Sequence, residues 1–289
     1  MPEPTKTEKK AAPKTSGKLD LASIGGLALA LAGILGGLII EGGKVKDIAQ
    51  FTAALIVLGG TFGAVLVSTP LHTVMGAMKR FLGVFHDRSS PLGPLIDDVA
   101  GYASQARKNG LVSLEQVADA IADPFLKKAL ILAVDGTDLQ EIRKMLELEI
   151  EIEEHHAEAE AKVFESAGGY APTIGIIGAV LGLIQVMKNL ANIDEVGHGI
   201  AVAFVATVYG VASANLLFLP AANKIKARIS GEVHRKELIV EAVSGIVEGL
   251  NPKLIRLKLE AYAHGAPAVK AKKEKKSAEP VPAAAKAEA

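Results

Sequence analysis

The chain has 289 residues, with 32 basic and 32 acidic side chains, no cysteine and no tryptophan. Its mean hydropathy is +0.31 and several long stretches carry no charge, which indicates an integral membrane protein with polar parts attached. The missing cysteines exclude disulfides and thiolate metal sites, and the balanced charge gives no reason to expect a nucleic-acid partner.

Four stretches are long and apolar enough to cross a bilayer, whose core of about 30 Å needs roughly 20 helical residues. The first, Leu21–Ile40, is longer than the apolar region of a signal peptide, so we interpret it as an uncleaved helix. The second spans roughly Ile48–Val67. The third and fourth, Gly168–Met187 and Gly199–Pro220, form a hairpin. The predicted fold class is an all-α integral membrane protein with four transmembrane helices and a helical cytoplasmic domain between the second and third.

Lysine and arginine gather on one side of these spans. Basic residues precede the first span and follow the second and fourth, whereas the loops inside each pair carry only Lys44, Lys46 and Lys188. The positive-inside rule therefore predicts that both termini and the middle segment are cytoplasmic. The predicted domains are a disordered tail at 1–18, spans at 19–78, a cytoplasmic helical domain at 79–167, spans at 168–222, cytoplasmic helices at 223–263 and a disordered tail at 264–289.

Capping patterns mark three helix starts in the cytoplasmic domain. The pairs are Ser113 with Gln116, Asp123 with Pro124, and Thr137 with Gln140. They predict helices near 114–122, 124–134 and 138–166. The stretch Leu146–Glu153 alternates with period 2, as a strand would, but its Glu and Leu residues and its capped start favour a helix.

None of the four predicted spans contains Asp, Glu, Lys or Arg. Proton carriers normally place an ionisable group inside the membrane, and a hydroxyl cannot hold and release a proton near neutral pH. If the protein moves protons, a partner chain must supply the carboxylate. The polar candidates inside the spans are Thr52, Thr61, Thr173, Gln185, Thr207, Tyr209, Ser213 and Asn215.

Small residues recur four apart along the spans, a spacing that lets helices pack closely either within one chain or between subunits. They are Gly33, Gly37, Gly178, Gly182, Ala206, Gly210 and Ala214. Pro172 and Pro220 by default end or kink a helix. A lone threonine such as Thr207 most often bonds back to the carbonyl four residues earlier. By helical rise, Ala179 and Thr207 both fall inside the hydrocarbon core, where they could line one path.

Enzyme chemistry has no support in the sequence. His155 and His156 are adjacent and so point to different faces of a helix, which argues against a metal site. There is no phosphate-binding loop of the G-x-x-x-x-G-K type and no nucleophile elbow. We therefore expect no enzyme activity, no metal and no cofactor.

Several separated motifs, in order, resemble the MotA-type flagellar motor stator subunits, called PomA in the sodium-driven branch. They are LASIGGLALALAGILGGLIIEGG, FTAALIVLGGTFGAVLVSTP, SQARKNGLVSLE, ESAGGYAPTIGIIGAVLGLIQVM, GIAVAFVATVYGVASANLLFLPAANKI and EGLNPKLI. The resemblance covers nearly everything from Asp20 to Tyr262. It implies a stator subunit in the bacterial cytoplasmic (inner) membrane that couples inward ion flow to torque on the rotor.

The resemblance also implies roles for individual residues. Arg107 and Glu115 match the charged residues that engage the rotor protein FliG. Pro172 and Pro220 match the prolines that couple ion passage to movement of the cytoplasmic part. Thr207 and Tyr209 match the residues that line the ion path. Ala179 stands where sodium-driven members carry Thr, so the transported ion is expected to be H+, with Na+ the weaker alternative.

The implied assembly is a pentamer around a MotB-type (PomB-type) partner, whose single membrane helix carries the ion-binding Asp. An ExbB/TolQ-type proton-driven motor subunit, energising outer-membrane processes, is the alternative. It usually has three spans and distributes its soluble regions differently. A scaffold that conducts nothing is a further alternative.

Overall fold

The computed structural model describes residues 18–84, 86–87 and 91–264. Four of its helices are long and apolar enough to cross a membrane, and nearly all of its regular structure is helical. The predicted all-α membrane fold is therefore confirmed. The tails predicted to be disordered lie outside the described residues, except for residues 18 and 264 at their inner ends.

The first two spans are α1, Leu21–Ile40, and α3, Phe51–Ser68, joined through the short helix α2, Val45–Ile48. Helix α3 begins three residues after the predicted start and contains a π-helical stretch at Leu55–Gly59. Helix α4, Leu71–Val84, follows the second span. No residue of α1 is buried within the chain, so this span stands apart from the other helices.

Two short strands connect the start of α1 with the end of α4. Strand β1, Lys18–Leu19, pairs antiparallel with β2, His86–Asp87. A second link is the ion pair between Asp20, which caps α1, and Lys224. The first span is thus attached to the rest of the chain at one end.

The cytoplasmic domain begins with α5, Leu92–Asn109, a helix that the capping patterns did not predict. A 3₁₀ turn at Leu111–Leu114 leads into α6, Glu115–Ala118, and then α7, Pro124–Val134. The Asp123 cap is confirmed, because its carboxylate accepts hydrogen bonds from the first turn of α7. The capping box at Ser113 is wrong, because its hydroxyl donates to the Gly110 carbonyl behind it, at 2.6 Å.

Two very long helices connect this domain with the membrane. Helix α8, Leu139–Lys188, runs for 50 residues, and α9, Ile193–Val247, runs for 55 residues with a π-helical stretch at Ser213–Phe218. Helix α10, Pro252–His264, folds back against α5 and α9. The predicted cap at Thr137 is wrong, because Asp138 caps α8, but the alternating stretch from Leu146 is helical as predicted.

The cytoplasmic core lies among α5, α7, α8, α9 and α10. Its fully buried large side chains include Leu114, Leu130, Ile142, Leu146, Leu238, Ile239 and Leu259. Burying each such aliphatic side chain contributes about 1.5–3 kcal/mol. Nearer the membrane, ion pairs from α8 to α4 and α9, Arg80–Glu160 and Lys226–Glu165, join the three helices into a stalk. The domain and the spans are therefore continuous along α8 and α9.

Candidate ion pathway and rotor-facing corner

Helices α8 and α9 pack backbone to backbone inside the membrane because small residues face each other along their contact. A Cβ added to Gly182 would lie 2.7 Å from the Gly199 carbonyl oxygen, and one added to Gly175 would lie 2.9 Å from that of Ala206. At Gly210 the added Cβ would lie 2.6 Å from the Ala171 carbonyl oxygen. These distances leave no room for a side chain.

The small residues of the spans fall into two groups, according to whether they contact other helices of their own chain. Gly178, Gly182 and Gly210 contact neighbouring helices of their own chain. Gly33 and Gly37 of α1 have no atom of the described chain within 4 Å of an added Cβ. Of these five glycines, Gly33 and Gly37 have space to pack against another molecule.

Thr207 and Ala179 lie on the two helices of this close contact. The Thr207 hydroxyl donates to the Ala203 carbonyl at 3.2 Å, one turn earlier, as a lone threonine in a helix usually does. An added Cβ at Gly175 would lie 3.5 Å from the Thr207 Cα, and Ala179 follows one turn further along α8. Both residues are half-buried. The Thr207 oxygen keeps lone pairs that can accept a hydrogen bond or coordinate a cation.

Tyr209 bonds to the segment that leads into the second span. Its hydroxyl donates to the Ile48 carbonyl at 2.5 Å and accepts from the Gln50 backbone N–H at 3.3 Å. Its ring packs against a small cluster that includes Ala53 and Val57 of α3. Two backbone groups at the entrance of α3 thereby find a partner from α9. No pattern in the sequence indicates this contact, which joins residues about 160 positions apart.

Both prolines lie inside long helices and end neither of them. Pro172 is in α8, and its Cα would lie 3.2 Å from a Cβ added to Gly210 of α9. Pro220 follows the π-helical stretch Ser213–Phe218. A proline donates no N–H and clashes with the carbonyl four residues earlier, so a widened turn before Pro220 has a direct cause. Each proline leaves a carbonyl without its usual helical partner in the wall of this helix pair.

Arg107 and Glu115 occupy one corner of the cytoplasmic domain. Arg107 lies in the last turn of α5 and Glu115 begins α6, and both side chains are exposed. The corner turns at Gly110, whose φ of +81° suits glycine, and the exposed Val112 lies between the two charges. Within the described part of the chain neither charge forms an ion pair, whereas Asp119 and Lys127 of the same domain do. The corner carries two exposed charges of opposite sign.

Comparison with known proteins gives consistent matches. Residues 117–238 match the MotA/TolQ/ExbB proton channel family, and residues 24–91 match the Motility protein A N-terminal family. Motility protein A of Bacillus subtilis (strain 168) is 36% identical over 245 residues, which cover 84% of this chain and 91% of the relative.

Two solved structures are similar over most of their length. A chain of the C. jejuni MotAB structure matches with a TM-score of 0.81 and 35% identity, covering 86% of this chain and 98% of that one. A chain of the flagellar MotAB stator complex from Bacillus subtilis matches with a TM-score of 0.78 and 36% identity, covering 83% of this chain and 95% of that one.

Proposed function

We propose that this chain works as a flagellar motor stator subunit. It belongs to the MotA/TolQ/ExbB proton channel family and resembles motility proteins A along most of its length. It couples inward proton flow across the inner membrane to torque on the rotor, together with a MotB-type partner. The observation that carries this proposal is the match to MotAB chains across spans, stalk and cytoplasmic domain together. An ExbB/TolQ-type subunit is less consistent with four spans in two pairs.

The ion pathway lies between this chain and its partner. The walls contributed here are uncharged, so the proton carrier is an Asp on the single membrane helix of the partner. Thr207 and Ala179 line the path, and Pro172 and Pro220 allow α8 and α9 to change shape as the carboxylate gains and loses its proton. Tyr209 supports the path by fixing the start of α3 against α9. In an assembly of five copies around a partner dimer, the partner's Asp would meet the wall of one copy after another.

The driving energy is sufficient for a stepwise movement. Each elementary charge that falls through about 100 mV gains about 2.3 kcal/mol. Since thermal energy is about 0.6 kcal/mol, one proton per step biases the direction of rotation. With both termini and the cytoplasmic domain on the inner side, Arg107 and Glu115 transmit the movement to the rotor protein FliG. Exposed charge pairs are individually weak, which permits repeated release.

The ion is proposed to be the proton because position 179 is an alanine. Sodium must exchange its hydration shell for oxygen ligands, and this chain lacks the second hydroxyl that a Thr at position 179 would supply. We expect swimming of a complemented strain to follow the proton gradient and to survive sodium removal. Swimming that stops without sodium while the membrane potential holds would contradict the choice of ion.

The stator role itself is tested by complementation. The gene is expressed with a MotB-type partner in a non-motile strain that lacks its own stator genes, and swimming is scored. The matched control carries Asn in place of the partner's membrane Asp. Restored swimming with Asp and none with Asn is expected. Failure to swim, together with restored outer-membrane transport in a strain lacking its ExbB/TolQ-type proteins, would favour the alternative motor.

A further inference from the structure

A cleft of about 340 Å³ lies between the start of α1, the end of α4 and the part of α9 around Pro220. Helix α1 buries no side chain in its own chain, so the cleft marks where the first span stands away from its neighbours. Most of the lining is apolar. It includes Ala22, Gly26 and Ala30 from α1, Phe81 from α4, and Leu217 and Pro220 from α9.

Three polar residues line the cleft, and two of them, Ser23 and Lys224, lie at the end near the start of α1. Asp20 caps α1 at this end, and its carboxylate lies 2.5 Å from the Lys224 ammonium. The hydrogen bond from Lys224, followed by that from the Ser23 backbone N–H, lowers the Asp20 pKa to about 2. The Asp20 carboxylate is therefore charged at neutral pH. The Lys224 side chain is 36% exposed and has donors beyond the one used by Asp20.

The apolar part of the cleft requires an apolar occupant. A water held in the cleft needs two to four polar partners. The α1 wall offers none between Gly26 and Ala30, and on α9 the Asn215 amide donates to the Val211 carbonyl of its own helix at 2.9 Å. A single hydrocarbon chain is thin and flexible enough to enter the cleft.

We propose that this cleft binds one acyl chain of a phospholipid whose zwitterionic headgroup rests on the Asp20–Lys224 ion pair. The headgroup phosphate accepts a hydrogen bond from Lys224, and its ammonium approaches the Asp20 carboxylate. An ion pair with a cation and an anion side by side complements a headgroup with the same two charges. The lipid is then the packing partner that the first span lacks within its own chain, in contact with Pro220.

Two glycines of α1 provide a matched test. An added Cβ has open space at both Gly26, which lines the cleft, and Gly33, which does not. The full chain is purified with its partner, delipidated, and supplied with phosphatidylethanolamine. Native mass spectrometry then counts the phospholipids retained per chain. We expect Gly26→Leu to retain one phospholipid fewer per chain than the wild type, and Gly33→Leu to match the wild type.

The headgroup is tested in the same complex. Lys224→Gln should weaken phosphatidylethanolamine retention several-fold, and anionic phosphatidylglycerol should be retained less than phosphatidylethanolamine by the wild type. Equal retention of both lipids would overturn the headgroup assignment. Wild-type retention in Gly26→Leu would overturn the site. If Gly26→Leu fails to assemble, Ala30→Leu on the same wall replaces it, and wild-type retention there would overturn the site equally.

Discussion

The close contact between α8 and α9 predicts that a single methyl group at Gly210 separates the two helices. In Gly210→Ala the new Cβ would lie 2.6 Å from the Ala171 carbonyl oxygen, 3.1 Å from the Gly175 Cα and 3.2 Å from the Pro172 Cα. The first distance is about 0.8 Å short of ordinary van der Waals contact, and all three atoms belong to the backbone. The helices must therefore move apart, at a cost of about 1–3 kcal/mol.

Gly197→Ala is the matched control, because it lies in the same helix with open space around its added Cβ. There the change should be neutral or slightly stabilising, since alanine favours a helix over glycine by about 0.5–1 kcal/mol. Thermal unfolding of the purified complex and swimming speed in a complemented strain are measured for both variants. We expect Gly210→Ala to lower both. If it unfolds and swims like Gly197→Ala, the contact is not as close as described.

Three further predictions concern single polar groups. Thr207→Ala should reduce swimming speed and Thr207→Ser should largely restore it, because the serine keeps the oxygen; equal swimming by all three chains would remove Thr207 from the pathway. Glu115→Lys should reduce torque on a tethered cell, and a reversed charge on FliG should partly restore it, whereas no rescue by any rotor charge change would count against electrostatic coupling. Asp20→Asn should destabilise the complex fully above a pH of about 4, and progressively less as pH falls from about 4 to about 2. In the folded protein the Asp20 pKa is lowered to about 2 from 3.8. The stabilising effect of the carboxylate is therefore present above the unfolded pKa and disappears as pH falls through the folded pKa. A difference in stability between wild type and Asp20→Asn that persists below a pH of about 2 would contradict the ion-pair origin.

Capping patterns in the sequence predicted a helix start correctly where that start depends only on neighbouring residues. The start of α7 at Asp123 and Pro124 was predicted because a cap and a proline act within a single turn. The same reasoning failed at Ser113 and at Thr137. Near Ser113 the backbone turns at Gly110, and near Thr137 the adjacent Asp138 serves as the cap. Capping patterns offer several acceptable residues, and the path of the chain selects among them.

The candidate site was only partly predictable for a similar reason. The resemblance selected Thr207 and Tyr209 together, yet the structure gives their hydroxyls different partners. Thr207 bonds within its own helix, and Tyr209 bonds to the segment before the second span. The positions of α3 and α9 relative to each other determine the second contact. Hydropathy and periodicity contain no information about that relation.

The sequence by itself determined that this protein has four uncharged spans, and that a proton moving along them would need a carrier from another chain. Both follow from composition along the chain, because the cost of a charge in hydrocarbon depends on the residue and its depth. Only the tertiary structure decided which small residues already pack against another helix of the same chain. The Gly175 and Gly210 backbones contact the opposite helix, whereas Gly33 of α1 faces open space. Glycine favours every close approach equally, so the partner depends on which helices the long-range packing brings together.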